Sequence, residues 1–375
     1  MKKSLLALAV VAVAASANAA TVYDKDGTSL YLDGRVQSVF YSGNHNTAGV
    51  NDSSIQNSGR FGIGGKTQIT DWVAGLGYAQ WDVSSGSANE HFAARDQYVG
   101  ADFGEFGLLK AGRFVDSSYY AEWITDHYED AADNASGNFN GERRGGQLQY
   151  TYENYGLHAQ VGVQTAQDSA KVFKDKHGVF ALTDSYAVDS GFNASLGYTF
   201  DDVVFGPLSF RAGYSYIKGQ KEEDFIGHGT TSFDKFKHAN GGIVWGNLSS
   251  GLYLGALYDY AKLEGVTRAA NAVTGVLGDD EAKLKGFELI GGYAFDNGVS
   301  FLVGYESVKY ESDTLLGDDV DSVKVKRVPV FVNYKINPNF NVWGEVGFNA
   351  GSDHVDRLAK NVDKQVFSLG ARYTF

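Results

Sequence analysis

The feature that most constrains this chain is a period of two. At the C-terminus Phe367, Leu369, Ala371, Tyr373 and Phe375 alternate with Ser368, Gly370, Arg372 and Thr374. Leu157, Ala159, Val161 and Val163 alternate with His158, Gln160, Gly162 and Gln164, and the pattern returns in Phe192, Ala194, Leu196, Tyr198 and Phe200 and in Leu208, Phe210, Ala212, Tyr214 and Tyr216. Successive side chains of a strand point to opposite faces, so each segment reads as a strand with one apolar face and one polar face. The polar face of a soluble sandwich is its charged outside, whereas here it carries Gly, Ser, Asn, Gln and Thr with only an occasional Arg or Glu. Several segments end in aromatic pairs, Tyr198 and Phe200, Tyr293 and Phe295, Tyr373 and Phe375. Aromatic residues collect at the two interfaces of a barrel that crosses a bilayer. The fold class that follows is all-β, a transmembrane antiparallel β-barrel with lipid outside and water within.

Composition agrees where it bears on this. The 375 residues include 47 Gly and 14% aromatics but only three Pro and one Met, a balance that suits strands. Cysteine is absent, as fits an exported protein without disulfides. The net charge of -13 gathers in acidic runs at residues 221–224, 278–281 and 311–321, read as solvated loops, and no basic stretch suggests nucleic acid. Lys2 and Lys3, an apolar run over residues 5–15 and the small-x-small triplet Ala17-Asn18-Ala19 have the form of a secretory signal. Residues 1–19 are therefore expected to be removed, leaving residues 20–375 as a single barrel domain. After the signal, no stretch approaches the roughly 20 apolar residues of a transmembrane helix.

Counting alternating segments predicts sixteen strands, centred near Val36, Ile63, Gly77, Tyr98, Ala111, Leu148, Val161, Leu196, Ala212, Ile243, Ala256, Leu289, Val303, Val330, Val346 and Leu369. Connections after even-numbered strands are short, as at Thr70-Asp71, Phe103-Gly104-Glu105, Asp296-Asn297-Gly298 and Asn337-Pro338-Asn339, with the eighth expected to be somewhat longer. Those after odd-numbered strands are long, as over residues 42–56, 165–189, 262–284 and 311–322. Short periplasmic turns and long external loops are the asymmetry of bacterial outer-membrane barrels.

Several short motifs then occur in order: Ala20-Thr21-Val22-Tyr23-Asp24-Lys25-Asp26-Gly27, Leu32-Asp33-Gly34-Arg35, Arg60-Phe61-Gly62, Lys66-Thr67-Gln68-Ile69-Thr70-Asp71, Tyr78-Ala79-Gln80-Trp81-Asp82 and the terminal Phe375. Through them the chain resembles the trimeric general-diffusion porins of Gram-negative bacteria. The resemblance implies a homotrimer in outer-membrane lipid that passes small hydrophilic solutes and ions without a cofactor. It also implies that Phe375 signals to the outer-membrane assembly machinery. In that family the third external loop, here residues 114–141, folds into the lumen and sets acids against a basic wall. The acids carried over are Asp126, Glu129 and Asp130, in Tyr128-Glu129-Asp130-Ala131-Ala132-Asp133, where the family usually has Pro-Glu-Phe-Gly-Gly-Asp.

The basic wall carried over is Arg35, Arg60, Arg95 and Arg143, with Asp82 as a further pore-lining carboxylate. Alternation independently turns these arginines inward, Arg35 with Asp33 and Gln37, Arg143 with Gln147 and Gln149, and Arg95 with Gln97 while Tyr98 faces out. The resemblance pairs Arg113 with Glu90 of a neighbouring subunit's second loop. Asp96 and Arg144 fall on the outward face, where a charge at mid-bilayer costs roughly 2–4 kcal/mol for Arg and less for Asp. A subunit contact or a rim position is expected for them. Opposed charges imply mild cation preference, raised by the acidic loops and limited by the arginines. A solute-specific channel is the alternative, with Tyr119, Tyr120 and Trp123 as the start of an aromatic track. An enzyme is not expected: the eight His show no His-Glu-x-x-His spacing, there is no Gly-x-Ser-x-Gly, and only His127 beside Asp126 draws notice.

Overall fold

The computed structural model describes residues 19–45, 52–85, 92–129, 139–140, 143–180, 182, 185–220, 232–266, 280–316, 320–353 and 363–375. Among them lie eighteen strand segments in one sheet. The first half comprises β1 (Ala20–Lys25), β2 (Thr28–Tyr41), β3 (Ser54–Thr70), β4 (Val73–Ser85), β5 (Phe92–Asp102), β6 (Leu108–Val115), β7 (Arg143–Asn154), β8 (Leu157–Gln164) and β9 (Gln167–Ala170). The second comprises β10 (Tyr186–Val203), β11 (Gly206–Gly219), β12 (Lys235–Gly246), β13 (Gly251–Val266), β14 (Asp280–Ala294), β15 (Val299–Glu311), β16 (Ser322–Asn337), β17 (Phe340–Asn349) and β18 (Val366–Thr374).

Two segments add no stave. β18 pairs with β2 from Ser368↔Tyr41 to Thr374↔Arg35, and β1 takes the same edge of β2 further along, from Ala20↔Leu32 to Lys25↔Thr28. β1 therefore continues the line of β18. In the same way β9 extends β8 along β10. The closed antiparallel barrel has sixteen staves, and each predicted centre falls in one of them. The eighth connection departs from expectation: β10 ends at Val203 and β11 begins at Gly206, so the turn is as short as its neighbours. Val204 accepts a left-handed φ of 60° there, which alternation cannot reveal. At the seam Phe375 O accepts from Gly34 N at 2.8 Å and Phe375 N donates to Gly34 O at 2.9 Å. A Cβ on Gly34 would come within 2.6 Å of the Phe375 ring, so the close fit depends on glycine.

Along the staves the two faces change content with height. Over the middle of the wall the outward residues are apolar and open, among them Val36, Val161, Leu196, Ile243, Leu289 and Leu369. Such a continuous apolar band is what lipid covers. Toward the end that carries the long loops, β11–β16 keep the same phase with opposite content. Phe236, Leu263, Leu284, Tyr310, Val323 and Val325 now point inward and pack with Phe173 and Phe180 into a buried core. Lys235, Lys262, Lys283, Lys285 and Lys309 point outward in a ladder with Glu264, Glu281 and Glu311. Lys262, for example, lies 3.1 Å from Glu264 and 2.7 Å from Glu281. This rim stands in water, and the mouth is partly filled by folded chain.

Candidate functional site

The loop after β6 turns into the lumen because its polar groups find partners there. Asp116 is fully buried and pairs with the equally buried Arg144, while its Oδ1 accepts from Ser118 N at 2.9 Å and Asn140 Nδ2 at 3.0 Å. Ser117 Oγ donates to Asn193 Oδ1 of β10 at 2.6 Å and accepts from Gln149 Nε2 of β7 at 3.1 Å. One helical turn, α1 (Tyr119–Glu122), then lies against β11 and β12. Tyr120 stacks on His158 at 3.5 Å with the Arg211 guanidinium 4.8 Å above its ring. Ile124 is held by Tyr253 Oη, which donates to its carbonyl at 2.8 Å.

The wall makes room for this loop with inward glycines. A Cβ on Gly213 would meet Ser118 Cα at 2.5 Å, and one on Gly255 would meet Ile124 Cγ2 at 2.9 Å. These glycines were the sequence signal for which wall receives the loop, and alternation alone passes over them.

The loop crosses to β17 and β18 and docks through Glu129. Arg372 Nη1 donates to Glu129 Oε1 at 2.7 Å, Nη2 closes a second bond to Oε2, and Glu129 N donates to Glu345 Oε2 at 2.7 Å. A bidentate Arg–carboxylate pair is a strong, directional contact. Sequence reasoning missed Arg372, although the terminal strand's alternation turned it inward. Burial works against the Glu129 charge, but the bond to Arg372 and the positive field of Arg372, Arg35 and Arg60 hold its carboxyl below the usual range. Burial, with help from Arg211, pushes His127 down to about 4. Its Nε2 lies 3.0 Å from Tyr253 Oη.

The arginines form a ladder across β18, β2, β3, β5 and β7. Arg35 stands in register with Arg60. Asp82 on β4 bridges two rungs, accepting from Arg60 Nε at 2.9 Å and Arg95 Nη1 at 3.0 Å. Arg143 Nε donates to Asp96 Oδ1 at 3.0 Å. Arg35 has no hydrogen bond or ion pair among the described residues, and Arg372, Arg60, Glu129 and Arg95 are its electrostatic neighbours.

Four placements differ from expectation. Asp96 is not on the lipid face: the β4–β5 register steps from Ala79↔Gln97 to Trp81↔Ala94, and this bulge brings Arg95 and Asp96 both into the charged ladder. The same step reverses the parity beyond it. Tyr98 faces in, its ring near Tyr78, Phe114 and Lys110, while Gln97 and Val99 face out. Arg144 is likewise inside, because the β6–β7 register shifts at Gly145-Gly146, where Gly146 has a φ of +69°. Each bulge spares a charge from lipid.

Asp126 is in the loop but meets no arginine directly among the described residues: its Oδ2 accepts from Tyr119 Oη at 2.6 Å. Arg113 shares the outer face with Gln97, its Nε donating to Ala94 O at 3.3 Å and Arg95 O at 3.1 Å. Asp130 and Glu90 lie outside the described residues.

A closed sixteen-stave barrel with a charged, polar interior and a loop across it defines an outer-membrane diffusion channel. The chain belongs to the Gram-negative porin family, whose sequence model matches residues 5–354. It is 26% identical to outer membrane porin PhoE of Enterobacter cloacae over 100% of both chains. OmpF of Salmonella typhi, solved in complex with daunomycin, superposes with a TM-score of 0.71 at 22% identity over 95% of this chain and 100% of that one. The trimer form of OmpT of Vibrio cholerae gives 0.62 at 17% identity over 93% and 100%. These relatives are channels, not enzymes, and the protein is a multi-pass β-barrel of the bacterial outer membrane.

Proposed function

We propose that this porin is a passive channel for small hydrophilic solutes and ions, with its selectivity set where the third loop meets the arginine ladder. The observation that carries this is the path of the loop, from Asp116, paired with Arg144 of β7, to Glu129 on Arg372 of β18, where it meets the arginine ladder beside Arg35. Opposed charges between low-dielectric walls focus a transverse field, so a solute with a dipole aligns and passes while a bulky apolar one loses ordered water. Asp126 and Asp130 supply negative charge on the loop, Glu129 and Asp82 are paired within the ladder, and Arg35, Arg60, Arg95, Arg143 and Arg372 supply the positive side. The net charge of -13 favours mild cation preference, which the ladder limits. Single-channel recording across a salt gradient tests both points. Ohmic, unsaturating conductance with a small cation-selective reversal potential is expected, and an anion-selective one refutes the cation preference.

The mature chain begins at Ala20 in this reading. Three copies associate, with Arg113 meeting Glu90 of the next subunit, and Phe375 addresses the assembly machinery. A stable conducting monomer in mild detergent refutes the trimer. A solute-specific channel is favoured by one observation, a recess of about 320 Å³ lined by Tyr119, Tyr120, Trp123, Lys110 and Arg211. Saturation of conductance by one sugar or anion but not by others would select that reading.

A further inference from the structure

Beneath the third loop, away from the water path, three side chains from three elements converge: Glu122 of α1, His238 of β12 and Asp259 of β13. Their potential ligand atoms all lie within 4.8 Å of one another. His238 Nε2 is 2.6 Å from Asp259 Oδ1 and 3.6 Å from Glu122 Oε1. All three are buried, Glu122 at 2% exposure. Both carboxylate oxygens of Glu122 and Oδ2 of Asp259 have no hydrogen-bond partner among the described residues. Buried carboxylate oxygens without donors are costly, and such an orphan set calls for a counter-charge.

The tautomer of His238 is set from behind. Ser118 Oγ has one proton, which it gives to Asp116, and Asn140 Nδ2 donates to the same oxygen at 2.7 Å. The remaining contact, 3.0 Å to His238 Nδ1, is then one in which the ring nitrogen donates. With Nδ1 donating behind, the 2.6 Å contact of Nε2 with Asp259 Oδ1 is a hydrogen bond whose proton an incoming ion displaces, and the Nε2 lone pair then faces the two carboxylates. This is the arrangement by which an outer hydrogen bond orients a metal-binding histidine.

Charge points the same way. Arg144 neutralises Asp116, which leaves Glu122 and Asp259 facing His238. A divalent ion beside a neutral ring balances both carboxylates. One imidazole nitrogen with two carboxylate oxygens suits a borderline transition ion such as zinc better than magnesium or calcium, which select oxygen alone. Bonds of about 2.1 Å at tetrahedral angles need ligand atoms about 3.4 Å apart, so the Nε2–Oδ1 pair must open by under about 1 Å.

We propose that Glu122, His238 and Asp259 form a buried divalent transition-metal site that fastens the third loop to the β12–β13 wall. Ser118 and Asp116 position the imidazole and do not touch the ion.

The test uses the full-length folded protein in detergent, stripped with a chelator, dialysed and titrated with zinc alone, with calcium and magnesium as comparisons. One zinc per chain is expected, with calcium and magnesium at least 100-fold weaker. Glu122→Gln, His238→Gln and Asp259→Asn should each weaken zinc about 100-fold or more. Ser118→Ala should weaken it about 10-fold, as loss of an orienting partner does. Cobalt(II) loaded into the wild-type chain gives a readout that needs no variant: intense visible bands of a low-coordinate nitrogen–oxygen site, displaced by one equivalent of zinc. Absence of those bands, or zinc binding unchanged in all three ligand variants, overturns the proposal.

Discussion

The same staves meet two different worlds, and their middles and upper ends show how one pattern serves both. In the lipid band β14 turns Phe287, Leu289 and Tyr293 outward and Glu288 inward. A few residues higher the same strand, with no bulge between, turns Lys283 and Lys285 outward and Ala282 and Leu284 inward. β13 does likewise, from Tyr258 and Asp259 to Lys262 and Leu263. Period two fixes which side chains share a face, but only the surrounding medium decides which face is apolar. Where lipid lies outside, the apolar set faces out. Where water lies outside and folded loop lies inside, the sheet behaves like a soluble protein.

The largest test of this contrast compares a leucine of the upper core with one on the lipid face of the same strand. Leu284→Ala opens a cavity in the upper core and is expected to cost about 2–5 kcal/mol in unfolding free energy of the folded barrel. Leu289→Ala, on the lipid face of the same strand, should cost well under half of that. Equal losses would show that the upper core is not packed.

Next in size is the outer face. Leu289→Lys places a charge between Tyr293 and Lys285 and should cost about 2–4 kcal/mol, measured by refolding into lipid vesicles. Glu264→Gln in the rim, despite its contacts with Lys235, Lys237 and Lys262, should cost under about 1 kcal/mol, and less as salt rises. If Leu289→Lys is as mild as the rim change, the lipid band has been placed too low.

The docked loop supplies a pH test. Glu129 has a depressed pKa, so its contribution is present above its free value of 4.5 and is lost as pH falls through the lower folded value. His127 is also depressed, to about 4 from 6.5, so it favours the docked loop while neutral and loses that contribution as pH falls from 6.5 toward 4. Both act in one direction. Current fluctuations from the loop should grow as pH drops below about 6.5 and again below about 4.5, the second step vanishing in Glu129→Gln. A profile that is flat from pH 7 to 4 removes the link between docking and His127, and one that stays flat well below 4.5 removes the link to Glu129.

How much of this the sequence carried follows from what alternation can and cannot encode. It located all sixteen staves, and it turned Arg35 and Arg60 toward the right neighbours because no irregularity separates them from their reference residues. It failed at Asp96, Gln97, Tyr98 and Arg144, because a single extra residue in a ladder reverses the parity beyond it and leaves no mark in a polar–apolar pattern. At Arg144 the pair Gly145-Gly146 was a visible hint. The docking of Glu129 on Arg372 joins residues 243 positions apart, and only the closed barrel brings them together.

The smallest expected effects are in selectivity, and there the geometry separates residues that charge counting treats alike. Asp126→Asn and Glu129→Gln each remove one negative charge from the loop. Asp126 is held by Tyr119 Oη, so its loss subtracts one charge and leaves the loop in place. Glu129 is clamped to Arg372, so its loss also unmasks a guanidinium that joins Arg35 in the ladder. Reversal potentials in a salt gradient should therefore move toward anions in both variants, and further in Glu129→Gln. Asp82→Asn should move them the same way by freeing Arg60 and Arg95 together, while Arg60→Gln with Arg95→Gln should move them toward cations. All shifts should shrink near 1 M salt, where the screening length falls to about 3 Å. The double variant Glu129→Gln with Arg372→Gln restores the charge balance without the clamp, so its potential should return close to wild type. That cancellation follows from charge alone, so the comparison of the single changes tests the clamp: if Glu129→Gln moves the potential no further than Asp126→Asn, Glu129 and Arg372 act independently on passing ions and the clamp does not govern selectivity.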